Sequence, residues 1–201
     1  MKVGLYFGTY NPIHVGHLII ANHMANYTDL DQVWLVVTPR NPLKQKDSLL
    51  ADYHRLTLVR GAIEDNLKLR ASAVEFDLEK PSYTSKTLAY LQERYPENEF
   101  SLIMGEDNLR TFHKWKNYET ILKKHSLIVY PRLLTEGEKS ESIPPPIRPE
   151  IYDHPNVNMI NAPIMKVSAS FIRRAITEKK DVRYLLTEPV FKYIQEMHFY
   201  E

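Results

Sequence analysis

Gly8-Thr9-Tyr10-Asn11-Pro12-Ile13-His14-Val15-Gly16-His17-Leu18 follows directly on a short apolar run, Val3 to Phe7. That run reads as a buried first strand. Beyond the stretch, Val15 to Tyr27 is free of proline and apolar at Leu18, Ala21, Met24 and Ala25, which is helical spacing. The stretch is therefore a strand-to-helix turn at the start of an α/β chain. Gly8 permits a tight turn and a close approach of backbone to ligand. A helix beginning near Val15 offers unpaired N–H groups and a positive dipole end, a seat for phosphate. His14 and His17, three apart, share one face of its first turn. Gly16 between them leaves room for a large group. An isolated His-x-x-His is usually a pair of surface histidines; the full string is far more specific.

Outward from this turn the chain alternates strand and helix signals. Val33 to Thr38 is a continuous apolar, β-rich run suited to a parallel strand covered on both faces. With the first strand and helix it completes a βαβ unit. Pro39-Arg40-Asn41-Pro42-Leu43-Lys44-Gln45-Lys46 follows, a basic loop at a strand's carboxyl end, the edge where α/β sheets bind ligands. A helix is expected over Asp52–Asn66, a strand over Ala71–Phe76, and a helix over Ser85–Tyr95 capped by Ser82 or Thr84. Phe100–Met104 is the next buried strand, followed by Gly105 and Asp107. Asp107 suits either a helix cap or a pair of ribose hydroxyls. Trp115, set among His113, Lys114 and Lys116, serves either as a core anchor for a helix over Tyr118–Lys124 or as a stacking platform. Ser126–Tyr130 is a further strand. Residues 135–155 are polar and proline-rich and read as a loop excursion. Asn156–Ala162 returns to a strand.

A second helix start lies at Lys166-Val167-Ser168-Ala169-Ser170-Phe171-Ile172-Arg173-Arg174. Ser168 or Ser170 suits the cap. Arg173 is placed in the first turn, where a cation opposes the helix dipole unless an anion is held beside it. The tail, Val182–Phe199, reads as two packing helices.

The 201 residues carry 43% hydrophobic and 25% charged side chains and a net charge of +1. Such a chain is one folded domain, 1–201, with a full core. The charge balance gives no bulk attraction to nucleic acid or an anionic membrane. With no cysteine, disulfides and thiolate metal sites are excluded. No apolar run reaches a membrane span and no signal peptide is evident, so a cytoplasmic location is expected.

The eleven-residue string resembles the Gly-[Ser/Thr]-Phe-[Asp/Asn]-Pro-x-His-x-Gly-His signature of the nucleotidyltransferase superfamily, with Tyr10 for the usual Phe and Asn11 where Asp is common. Lys44 matches the lysine of that family's Pro-His-Lys loop, although Leu43 replaces its histidine. Gly105 and Asp107 match its Gly-Ala-Asp-Ser segment. Ser168, Ser170 and Arg173 match its Ile-Ser-Ser-[Thr/Ser]-x-Ile-Arg pattern, with departures at Val167 and Ala169. Pro81-Ser82-Tyr83-Thr84 and His113-Lys114-Trp115 are similar to one branch, the nicotinate mononucleotide adenylyltransferases.

The resemblance implies a Rossmann-like, doubly wound, mostly parallel sheet with helices on both faces and a small C-terminal helical part, 168–201. It implies adenylyl transfer from ATP to nicotinate mononucleotide in NAD biosynthesis, with Mg²⁺ arriving with ATP and no protein-caged metal. Catalysis falls to His14, His17, Lys44 and Arg173. ATP falls to Gly8, Thr9, His14, His17, Gly105, Asp107, Ser168, Ser170 and Arg173. The mononucleotide falls to Asn11, Lys44, Tyr83, Thr84 and Trp115. Nicotinamide mononucleotide or phosphopantetheine as acceptor, or a non-catalytic nucleotide-binding module, are the rival readings. Oligomeric state is not readable.

Overall fold

A computed structural model describes residues 1–39, 49–131 and 148–201. Lys44, the rest of its basic loop over 40–48, and residues 132–147 lie outside the described residues. The strands are β1 (Lys2–Gly8), β2 (Gln32–Val37), β3 (Leu69–Ser72), β4 (Glu99–Gly105), β5 (Leu127–Tyr130) and β6 (Val157–Met159). The helices are α1 (Val15–Tyr27), α2 (Asp52–Ala62), α3 (Thr84–Arg94), α4 (Glu106–Thr111), α5 (Tyr118–Lys124), α6 (Ala169–Thr177) and α7 (Glu188–Glu196).

The strands form one sheet in the order β3-β2-β1-β4-β5-β6. Every neighbouring pair is parallel, so the sheet is wholly rather than mostly parallel among the described residues. Strand order reverses between β1 and β4, the place where doubly wound sheets open a crevice at their carboxyl edge. Alternate side chains feed two cores. Val33, Leu35 and Val37 of β2 pack with α1, α2, α6 and α7, while Trp34 and Val36 pack with α3, α4 and α5. This is why the strands read as continuous apolar runs: neither face meets water.

Several boundaries differ from the sequence expectation, each for a local reason. β3 starts at Leu69 because pairing with β2 fixes its register, Val33 opposite Leu69. The chain leaves the sheet after Ser72, and Phe76 N–H closes a turn onto the Ala73 carbonyl. α2 stops at Ala62, where Ile63 takes a non-helical conformation and its carbonyl receives the Asn66 N–H. α3 is capped by neither Ser82 nor Thr84; its cap residue is Tyr83, with no side-chain hydrogen bond. β6 keeps only three residues of the expected Asn156–Ala162 strand. The tail holds a 3-10 turn, Arg183–Leu185, before α7 rather than two α-helices. Residues 149–151 of the expected 135–155 loop form a 3-10 turn.

Candidate active site

β1 and β2 stay joined to their ends, Thr38 N–H donating to the Gly8 carbonyl at 2.9 Å. The chain then turns through Thr9–Ile13 into α1. The left-handed residue of this turn is Tyr10, at φ 47°, and no described glycine has a positive φ. Gly8 is therefore needed for space, not for a tight backbone turn. A Cβ there would lie 2.9 Å from the Tyr10 ring, which folds back over it. Tyr10 is buried and its hydroxyl donates to the Tyr6 carbonyl at 2.5 Å. Burial pushes that hydroxyl's pKa well up, so it stays a neutral donor.

α1 begins on His14. The rings of His14 and His17 stack at 3.8 Å between centroids. The His14 main-chain N–H donates to His17 Nδ1 at 3.3 Å, the return half of a capping box with histidine in the usual Glu or Gln place. A nitrogen that accepts from an amide carries no proton, so in neutral His17 the proton is on Nε2 and that atom is a donor. Tyr10 and Tyr6 meet the His17 ring edge-on at 5.1 and 6.3 Å. A Cβ at Gly16 would lie 3.0 Å from His14 Nδ1 and 3.6 Å from Val167. The second contact matters, because Val167 leads into α6: the two helix starts are neighbours.

At α6 the Ser168 hydroxyl accepts the Phe171 N–H at 3.2 Å. Neither α1 nor α6 has an acidic residue in its first turn. The first N–H groups of each helix have no partner within it, so both ends attract anions. Arg173 is the fifth residue of α6, one turn later than expected. Its Nη1 donates to the Asn11 carbonyl at 2.7 Å and its Nη2 to the Ser170 hydroxyl at 3.2 Å. One guanidinium thus joins both helix starts and sits beside the second.

Together these elements border an open cleft of about 500 Å³. Gly8, Thr9, Asn11, His14, His17, Ser168, Ser170 and Arg173 all line it, as do Tyr6 and Tyr130. The two tyrosine hydroxyls are 2.9 Å apart. Among the described residues no group of three His, Cys, Asp or Glu side chains is placed to hold a metal ion, and no helix is long and apolar enough to cross a membrane.

Residues 5–175 match the cytidylyltransferase-like family. The chain is 55% identical to the "Probable nicotinate-nucleotide adenylyltransferase" of Flavobacterium johnsoniae over 201 residues, all of both chains. The same name is carried by a Bacteroides fragilis protein, 42% identical over 96% of this chain and 90% of its own length. The chain belongs to the nicotinate-nucleotide adenylyltransferase family. Its fold is that of the Plasmodium falciparum nicotinic acid mononucleotide adenylyltransferase complexed with APC, at TM-score 0.75 and 19% identity over 99% of this chain and 96% of that one. The same enzyme complexed with NaAD gives TM-score 0.76 at 20% identity over 99% and 97%.

In this adenylyltransferase family member the remaining described motif residues do not line the cleft. Gly105 ends β4 and pairs with Tyr130, a cleft residue; Asp107 stands in the first turn of α4. Lys116 Nζ lies 4.5 Å from the Tyr83 ring centre, so the segment after Trp115 meets the start of α3, which carries Thr84. Trp115 is half-buried, tilted against Phe112 at 5.3 Å. Ser82 does not cap α3; with Thr87 it faces the buried carboxyl of Glu75. Pro39 and Leu49, flanking the segment that holds Lys44, line the cleft.

Sequence reading missed the residues that build the site from beneath. Arg55 is fully buried and donates to the carbonyls of Thr9 at 2.6 Å, Thr38 at 2.8 Å and Leu50 at 3.1 Å, with Asp52 as counter-ion at 2.5 Å. Burial lowers its pKa and the Asp52 carboxylate opposes that; an arginine stays charged regardless. Its place in an apolar helical stripe with Leu56 and Val59 was the available signal. Tyr6 and Tyr130 were legible only as strand residues, although Tyr130 stands at a carboxyl edge.

Proposed function

We propose that the chain transfers the adenylyl group of ATP to nicotinate mononucleotide, giving nicotinic acid adenine dinucleotide and pyrophosphate. The observation that carries this reading is the meeting of two carboxylate-free helix starts across one cleft, with Arg173 between them. A single anionic chain of phosphates is the natural occupant. The full-length relatives named as nicotinate-nucleotide adenylyltransferases support the acceptor.

In this reading a 5′-phosphate oxygen of the mononucleotide attacks the α-phosphorus of ATP. A new P–O bond forms, the α–β bridging bond breaks, and pyrophosphate leaves with the electron pair. Such a transfer asks the protein mainly to position reactants and stabilise charge. The α1 amides with His14 and His17 hold the α-phosphate region, and His17 Nε2–H donates to the charge that grows there. The α6 amides, Ser168, Ser170 and Arg173 hold the β- and γ-phosphates. Lys44, assigned to phosphate by the family resemblance, neutralises charge in this reading. Gly8 and Thr9 border the nucleotide, and Gly105 and Asp107 hold its ribose. Asn11 faces the mononucleotide; Tyr83, Thr84 and Trp115 form its pyridine pocket. Mg²⁺ arriving with ATP would lessen repulsion between the two anionic reactants.

The test is product formation with ATP and nicotinate mononucleotide, nicotinamide mononucleotide or phosphopantetheine in parallel. Nicotinate mononucleotide is the expected acceptor. Turnover of phosphopantetheine alone, or none with any acceptor, contradicts the assignment.

A further inference from the structure

A tyrosine hydroxyl that the proposed reaction does not use ends inside the first phosphate turn. Tyr200 donates to Asn11 Oδ1 at 2.7 Å across 189 positions of sequence. The Leu50 N–H donates to the same oxygen at 3.2 Å, so both of its lone pairs are taken. The main-chain carbonyl of Asn11 meanwhile accepts from Arg173. Tyr200's own carbonyl accepts from the hydroxyl of Thr177, the last residue of α6, at 2.8 Å. A ring closes: Asn11 to Tyr200, Tyr200 to Thr177, and along α6 to Arg173, which returns to Asn11. α6 is therefore fastened to the motif turn at two points.

The connection is held firmly. Tyr200 sits at φ 67°, a region disfavoured for tyrosine, so surrounding contacts must impose it. Its neighbour Phe199 meets the His54 ring edge-on at 4.7 Å. Burial pushes the Tyr200 hydroxyl's pKa well up, which keeps it a donor at any working pH.

The geometry points to Tyr200 as a positioning residue that sets the separation between the Asn11 turn and Arg173, and so the grip of the two helix starts on one triphosphate. The inference rests on the adenylyl-transfer reading for its ligand, ATP. A single hydrogen bond to a buried acceptor governs about a three- to tenfold change. Tyr200→Phe removes that bond and little else. Calorimetry with α,β-methylene-ATP, with no acceptor present, should show affinity weakened by that factor. KM for ATP should rise in step, and the unfolding midpoint should move by only a few degrees. In an Arg173→Lys background the same substitution should cost less than about twofold, because the anchor it serves is already altered. Unchanged affinity for the analogue, or an equal cost in both backgrounds, overturns the proposal. If Tyr200→Phe does not fold, Thr177→Val opens the same ring from its other side and must give the same loss of affinity for the analogue; unchanged affinity there also overturns it. A parent protein that binds the analogue but converts no mononucleotide contradicts the reaction, and leaves the role of Tyr200 to the binding result.

Discussion

Arg173 and Asn11 stand 162 positions apart in sequence and 2.7 Å apart in space, guanidinium to main-chain carbonyl. That bond makes one site of two helix starts. It also shows how a cation is kept near the start of α6 when no carboxylate faces it in the first turn. An arginine tied by one nitrogen to a carbonyl and by another to the Ser170 hydroxyl still has donors to offer an anion.

Removing the His17 ring should strike the chemical step. Loss of one preorganised donor to developing charge costs roughly a hundredfold to a thousandfold in turnover. His17→Ala should show that loss in kcat with ATP and nicotinate mononucleotide while the circular-dichroism spectrum stays that of the parent. A kcat within a few-fold of the parent leaves the ring only its packing against Tyr10.

Arg55 should be a stability residue with a catalytic echo. Lysine at this position keeps the charge but lacks the fork that serves three carbonyls at once. We expect Arg55→Lys to cost about 3 kcal/mol, from carbonyls left without donors. In a domain of this size that lowers the melting temperature by about 6–12 °C. Calorimetry decides it; a shift under about 2 °C means that the carbonyls find other donors.

Glu75 should make stability fall as pH rises. Burial pushes its carboxyl up, against the opposing pull of the Thr87 and Ser82 hydroxyls. The folded state then holds the proton more firmly than the unfolded chain. Stability is highest below the ordinary carboxylate range, declines as pH climbs from there to the raised value, and stays lowered above it. Gln cannot ionise, so Glu75→Gln should melt higher than the parent at neutral pH, with the gap closing near about pH 4. A gap that does not change with pH contradicts the shift.

Trp115 divides two roles. If it stacks on the pyridine, Trp115→Ala should raise KM for the mononucleotide about tenfold, the scale of an aromatic pair, and leave KM for ATP nearly unchanged. Equal rises in both would assign the ring to its packing on Phe112.

The first helix was legible to the residue, Val15 to Tyr27, because its signals are local: a turn through Pro12 to His14 before it and no proline within it. The buried strands were legible as apolar runs, though β3 was misplaced, since pairing with β2 rather than composition sets where it lies. In the site, the motif residues on the two helix starts were readable because each motif is contiguous. Arg55 and Tyr200 were not. Each acts on main-chain or side-chain oxygens far away in sequence, and only the closed fold shows which oxygens those are.

The central claim is that a single triphosphate spans the two helix starts. The most direct measurement is a crystal structure with α,β-methylene-ATP bound. The account predicts phosphate oxygens within hydrogen-bond distance of the Gly16 main-chain N–H at one end and of the Ser170 N–H or Arg173 at the other. Phosphates that touch one helix start and leave the other to solvent would contradict it.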